Sequence, residues 1–259
     1  ATLSIIDGAT LSEIDDIDVG SVPTAVAVSP DGDRVYVASY STDTIDVIDP
    51  WSREVLATLP AGDGPKGIAV TPDGSRLYVG NFMSDSVSVL DLESGLIIDS
   101  IAVGDGPVGV AMDTSGTRLF VANANGGTVS VIDVQSHAVI ATQVAGPSPH
   151  AAVVSPDGRR AYVSNFGTST QSVTVLDVLT GAVVTHVPGI TGARGIAISA
   201  DGHYVYVGRQ ASANLSVIET VGNTVVGTSA GGTTRAVGSF SAQPLYGQGS
   251  IDAGAESTC

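Results

Sequence analysis

A four-residue turn signature returns at near-constant spacing through this chain. It reads Ser29-Pro30-Asp31-Gly32, Thr71-Pro72-Asp73-Gly74, Asp113-Thr114-Ser115-Gly116, Ser155-Pro156-Asp157-Gly158 and Ser199-Ala200-Asp201-Gly202. The copies around it span 26–49, 68–91, 110–133, 152–177 and 196–219. They start 42, 42, 42 and 44 residues apart. Units of this length built from short strands require a radial or stacked architecture, because no unit can bury its own apolar faces. Residues shared by all units build the scaffold, so function is to be sought where the units differ.

One copy, 67–104, shows the local logic. Ile68-Ala69-Val70 is a short strand, and Pro72-Asp73-Gly74 turns the chain: Asp bonds nearby backbone and Gly accepts positive φ. Leu77-Tyr78-Val79 is a second strand. Ser86-Val87-Ser88-Val89-Leu90-Asp91 alternates strictly and is a third. Glu93-Ser94-Gly95 turns again, and 96–103 is a fourth. The result is a four-stranded antiparallel meander. Small residues dominate the first strand, as in Gly109-Val110-Ala111, which places that strand innermost, where strands converge. Helical periodicity is absent, and the repeat is too long for a parallel β-helix, which leaves a β-propeller.

The termini suggest closure. Thr2-Leu3-Ser4-Ile5-Ile6-Asp7 matches the third strand Thr128-Val129-Ser130-Val131-Ile132-Asp133, and Arg235-Ala236-Val237 matches the start of a first strand at Arg194-Gly195-Ile196. The expectation is an all-β, six-bladed β-propeller filling 1–259 as one domain. Blades span 21–62, 63–104, 105–146, 147–190 and 191–230. A composite blade takes its outer strands from 1–20 and its inner strands from 231–251, with 252–259 as a tail. Residues 3–7 are expected to pair beside a strand from 245–250. Closure of this kind removes exposed strand edges.

Leu77-Tyr78-Val79-Gly80-Asn81, Tyr162-Val163-Ser164-Asn165, the Pro-Asp-Gly turns and Ser88-Val89-Leu90-Asp91 resemble the YVTN-type β-propeller repeat. The resemblance covers nearly the whole chain. It implies a bacterial or archaeal protein, exported or surface-associated, with a role in interactions. Related propellers include lactonases and the virginiamycin B lyase type, but none of their catalytic constellations is matched here.

The chain has 259 residues and a net charge of −16. That charge disfavours nucleic acid and anionic membranes as partners. No apolar run approaches the ~20 residues of a membrane span, and the first residues lack the basic-then-apolar layout of a signal peptide. Cys259 is the single cysteine, which excludes an intrachain disulfide or a multi-cysteine zinc site. A monomer without cofactor or metal is expected.

Two rings of positions are expected at one end of the channel. The first, at the start of each inner strand, reads Thr24, Lys66, Val108, His150 and Arg194, with Arg235 in the composite blade. The second, ending each second strand, reads Ser39, Asn81, Asn123, Asn165 and Arg209, with Gln248. Lys66, Arg194, Arg209 and Arg235 are four of the ten Lys and Arg residues, and neither ring contains any of the 26 acidic residues. The candidate ligand-binding set is therefore Lys66, His150, Asn165, Arg194, Arg209 and Arg235, an anion-binding mouth in which arginine forks suit carboxylate or phosphate. The loop 166–172, two residues longer than its counterpart 82–86, lies beside it.

Other cations have structural readings. Arg34, Arg76, Arg118 and Arg160 recur two residues after the turn glycine and are expected to pair there. Asp7, Asp49, Asp91, Asp133 and Asp177 recur after third strands as turn formers. His137, His186 and His203 read as surface residues. No G-x-S-x-G elbow, H-E-x-x-H or phosphate loop is present.

The leading reading is a binding propeller whose mouth holds an anionic small molecule or an acidic partner segment. The first alternative is a lyase, isomerase or lactone hydrolase acting on a small carboxylate or lactone, with His150 as the candidate general base. The second alternative is a spacer domain of a surface protein.

Overall fold

A computed structural model of the protein describes residues 1–167, 170, 172–210 and 214–229. Among these residues there are twenty-two strands and no helix. They form five four-stranded antiparallel sheets and one two-stranded sheet. Each four-stranded sheet is one repeat in chain order. Blade 1 is Pro23–Val28, Val35–Ser39, Thr44–Asp49 and Glu54–Pro60; blade 2 starts at Pro65–Val70, blade 3 at Pro107–Met112, blade 4 at Pro149–Val154 and blade 5 at Ala193–Ile198. First strands of successive blades lie side by side, as in a β-propeller.

The recurring turn does what its residues predict. Gly32 holds φ 80, its N–H donates to Ser29 O at 2.9 Å, and the Asp31 carboxylate accepts from the Ser29 hydroxyl at 2.5 Å. Hydrogen bonding to the ionised form holds Asp31 below the usual carboxylate range, and the same cause acts more strongly on Asp73, lowered to about 2. The aspartates after the third strands also act in turns. Asp91 Oδ1 accepts from Ser94 N at 2.8 Å, and Asp177 Oδ1 from Thr180 N at 3.0 Å.

The second strands of blades 2, 3 and 4 are buried on both faces, because each of these blades packs between two others. Leu77 and Val79 join Ala27, Tyr36, Ala38 and Ile45 of blade 1, whereas Tyr78 between them joins Val110, Leu119 and Val121 of blade 3. Successive residues of a strand point to opposite faces, so one apolar run feeds two interfaces. Full burial of each such side chain contributes about 1.5–3 kcal/mol. Near the channel the blades approach so closely that side chains are excluded: a Cβ on Gly67 would lie 2.2 Å from Val108 O.

The N-terminal strands Thr2–Ile6 and Glu13–Asp18 pair with each other. Ile17, Leu3 and Ile5 pack on Val37 and Ile48 of blade 1. The expected partner strand within 245–250, the inner strands 231–251, Arg235, Gln248 and Cys259 lie outside the described residues. Among the described residues the face of blade 1 nearest the channel is uncovered: Val26 is 40% exposed, whereas its counterparts Ile68 and Val110 are 5% and 4% exposed.

Two expectations about side chains change. Of the four recurring arginines, Arg118 and Arg160 form ion pairs, with Asp133 at 2.5 Å and Asp177 at 2.6 Å. Arg34 Nη1 instead donates to the Asp33 carbonyl, and Arg76 Nη1 lies 3.3 Å from His137 Nε2. His137 is accordingly no plain surface histidine. Its Nδ1 is 2.6 Å from Asp99 Oδ2 and its ring meets Tyr78 edge-on, joining blades 2 and 3.

Candidate functional site at the channel mouth

The first ring sits at a β-bulge in each inner strand. Pairing slips between Pro23 and Ala25, Pro65 and Gly67, Pro107 and Gly109, and Pro149 and Ala151. Thr24, Lys66, Val108 and His150 are therefore the unpaired residues, and blade 5 slips similarly around Arg194. A bulge re-aims a side chain out of the regular alternation. Here Thr24, Lys66, Val108, His150 and Arg194 all line one pocket of about 400 Å³, at the lower end of the range for small-molecule sites. A larger groove between blades 1 and 2, of about 760 Å³, lies among the Pro-Asp-Gly turns at the other end of the strands and contains none of the predicted site residues.

Charge and contact fix three of these side chains. Arg194 Nε donates to His150 Nε2 at 3.1 Å, and Arg194 Nη1 donates to Gln210 Oε1 at 2.8 Å. Arginine cannot accept, so His150 Nε2 carries the lone pair and the neutral ring holds its proton on Nδ1. Burial, then the Arg194 and Lys66 charges, lower the His150 pKa from 6.5 to about 4. Burial, then Arg194, also lowers the Lys66 pKa. The Lys66 ammonium lies 3.5 Å from the centre of the Phe82 ring and 5.4 Å from that of Tyr40. Among the described residues, neither Lys66 nor Arg194 has an acidic side chain within ion-pair distance.

The second expected ring is placed differently. Asn81, Asn123 and Asn165 are fully buried inside their blades. Asn81 Nδ2 donates to Ser88 Oγ at 2.8 Å, and its Oδ1 accepts from Gly62 N at 3.2 Å. Asn165 Nδ2 donates to Thr174 Oγ1 at 2.9 Å, and Asn165 is not among the residues that line the pocket. In blade 1 the short Ser39 is replaced in this task by Asp46, which accepts from Gly20 N and Thr58 Oγ1, each at 2.8 Å. In blades 1 to 4 these residues and their partners tie the blade to the segment entering it. Arg209 does not line the pocket; its Nε donates to Thr191 O at 3.3 Å.

At the residue one step further on, Tyr40 lines the pocket, Phe82 meets Lys66 and Gln210 meets Arg194. Tyr40, Phe82, Ala124, Phe166 and Gln210 each donate a backbone N–H at 2.8–3.0 Å to the carbonyl of Val22, Gly64, Gly106, Ser148 and Gly192 respectively. One residue along a strand reverses the facing of a side chain, which separates buried Asn81 from Phe82. That alternation was the signal by which Tyr40, Phe82 and Gln210 could have been found. All five carbonyl residues of this belt have positive φ, although Gly192 is the one in blade 5 (φ 71). Val22, at φ 57, is the β-branched exception. Left-handed backbone costs such a residue on the order of 1–2 kcal/mol.

Comparison with known proteins follows this geometry. A model of the cytochrome D1 heme domain matches residues 114–234, and a model of the lactonase 7-bladed beta-propeller matches residues 51–139, each less than half of the chain. No curated protein matches. Among solved structures, the hydrazine synthase of Kuenenia stuttgartiensis aligns with a TM-score of 0.63 at 21% identity, covering 78% of each chain. A functionally unknown protein from Desulfotomaculum acetoxidans aligns with a TM-score of 0.74 at 19% identity, covering 88% of this chain and 77% of that one. The mouth does not fit a haem: the Nε2 of His150 that would ligate iron is engaged by Arg194, and two cations stand beside it. Together these likenesses establish a β-propeller fold.

Proposed function

We propose that this chain is a YVTN-type, six-bladed propeller that binds a small organic anion at its channel mouth without transforming it. The observation that carries this reading is the pairing of Lys66 and Arg194 in one pocket without a carboxylate among the described residues, in a chain of net charge −16. Partly buried like charges gain most from an incoming anion, and burial, then the Arg194 charge, lowers the proton affinity of Lys66. Arg194 is held by His150 and Gln210, so its guanidinium is preorganised. The ring closes through 1–20 and 231–251, which would cover the exposed Val26 face and bring Arg235 into the first ring. The compartment proposed from the repeat type is extracytoplasmic.

The enzyme reading is weaker on chemical grounds. A base with a pKa of about 4, whose Nε2 already accepts from Arg194, has little driving force to take a proton at neutral pH. Calorimetric titration with a panel of carboxylates and phosphates tests the proposal. Saturable binding weakened by Arg194→Ala supports it. Turnover of a bound ligand that His150→Ala abolishes would establish the enzyme reading instead. No small-anion binding at millimolar concentration would favour an acidic protein segment or a spacer role.

A further inference from the structure

We propose that the ligand of the mouth is a monoanion with a flat apolar body, such as an aromatic carboxylate, bound head-inward between Lys66 and Arg194. The inference rests on the anion-binding reading and adds the chemistry of the rest of the ligand. The pocket is divided. Lys66, His150 and Arg194 supply its polar groups, whereas Val22, Pro23, Ala25 and Tyr40 of blade 1 and Val108 of blade 3 supply apolar surface. Thr24 belongs to the apolar side in effect, because its hydroxyl is already engaged by the Pro65 and Ala38 carbonyls at 2.8 and 3.3 Å. Few polar groups on a largely apolar wall fix an orientation while the body of the ligand supplies most of the affinity.

Val22 is the second observation. The other blades place Gly64, Gly106, Ser148 and Gly192 at the same backbone position, with positive φ in every case. Glycine is the unstrained choice there. Among the five described blades, blade 1 alone sets a branched aliphatic side chain on left-handed backbone, 51% exposed, where it lines the pocket. Among the described residues neither packing nor backbone geometry accounts for it; an apolar ligand wall does. Two cations around one pocket of about 400 Å³ suit a single carboxylate with a body of one ring.

Titration of the full chain with 3-phenylpropanoate, propanoate, inorganic phosphate and 3-phenylpropanol tests this. Phenylpropanoate is expected to bind at least tenfold more tightly than the other three; burying about 60 Å² of ring surface suffices for that factor against propanoate and phosphate, and one charge-assisted hydrogen bond to the carboxylate suffices against phenylpropanol. Val22→Gly should lower the phenylpropanoate affinity by threefold or more and leave propanoate unchanged, with a melting temperature equal to or above that of the parent. Propanoate or phosphate binding as tightly as phenylpropanoate, or an unchanged preference in Val22→Gly, overturns the apolar body and leaves the anion site standing. Phenylpropanol binding as tightly as phenylpropanoate, with Arg194→Gln without effect, overturns the anion site itself. No binding of any probe overturns both.

Discussion

The Nε–H of Arg194 donates to Nε2 of His150 across 3.1 Å, joining the inner strands of two adjacent blades at the channel mouth. One contact therefore sets the tautomer of the histidine, removes the lone pair a general base would use, and orients the guanidinium. It also requires His150 to stay neutral, since a protonated ring has no acceptor to offer.

Stability should fall as pH is lowered from about 6.5 to about 4. The His150 pKa is lowered in the folded protein, so over this window the unfolded chain binds a proton that the folded chain does not. The contribution is fully present above pH 6.5 and lost by pH 4, and amounts to about 3 kcal/mol at most. The turn aspartates act below this window, because their lowered pKa values start from 3.8. Urea midpoints measured across pH 4–7 should show a shallower slope in His150→Gln, whose amide can still accept from Arg194. An identical slope in parent and variant would refute the assignment.

Arg194→Ala should weaken anion binding tenfold or more, because charge-assisted hydrogen bonds contribute roughly 1.5–3 kcal/mol each. Arg76→Ala is the control. Its side chain meets His137 at the opposite end of the strands, so it should lower the melting temperature and leave ligand affinity within twofold. Equal loss of binding in both variants would point to a general electrostatic effect rather than a site.

Asn123→Ala should destabilise the fold by about 1–3 kcal/mol, the cost of stranding buried partners. Its Nδ2 donates to Ser130 Oγ and Thr128 Oγ1 at 2.9 and 3.0 Å. Gly104→Ala should act on the same clamp by collision, since a Cβ there would lie 2.5 Å from Asn123 Nδ2. Melting curves of the two single variants and the double variant check this: coupled, less-than-additive losses are expected. A neutral Asn123→Ala would show that the clamp is ornamental to stability.

Deleting residues 1–20 should lower the melting temperature sharply or abolish soluble expression. The deletion uncovers Val37 and Ile48, against which Ile17, Leu3 and Ile5 pack. The Arg53–Asp15 ion pair at 3.3 Å is exposed and contributes little. A truncated chain as stable as the parent would refute closure through both termini.

The sequence by itself determined the repeat, its strands and its turns. Those depend on local chemistry: an Asp or Ser that bonds its own turn, a Gly at positive φ such as Gly74, and period-2 alternation in Ser86–Asp91. It also brought Lys66, His150 and Arg194 together, because one position in a repeat occupies one level of the ring. Facing was decided by the tertiary structure. Asn165 and Phe166 are neighbours in the chain, yet one is sealed in its blade and the other is on the rim, according to which side of the strand each occupies. The bulges at Lys66 and His150 are register shifts between paired strands, which the chain shows only once folded. The uncharged partners of the two cations, Phe82 and Tyr40 for Lys66 and Gln210 for Arg194, share one repeat position, but which of them meets which cation is decided by proximity in space.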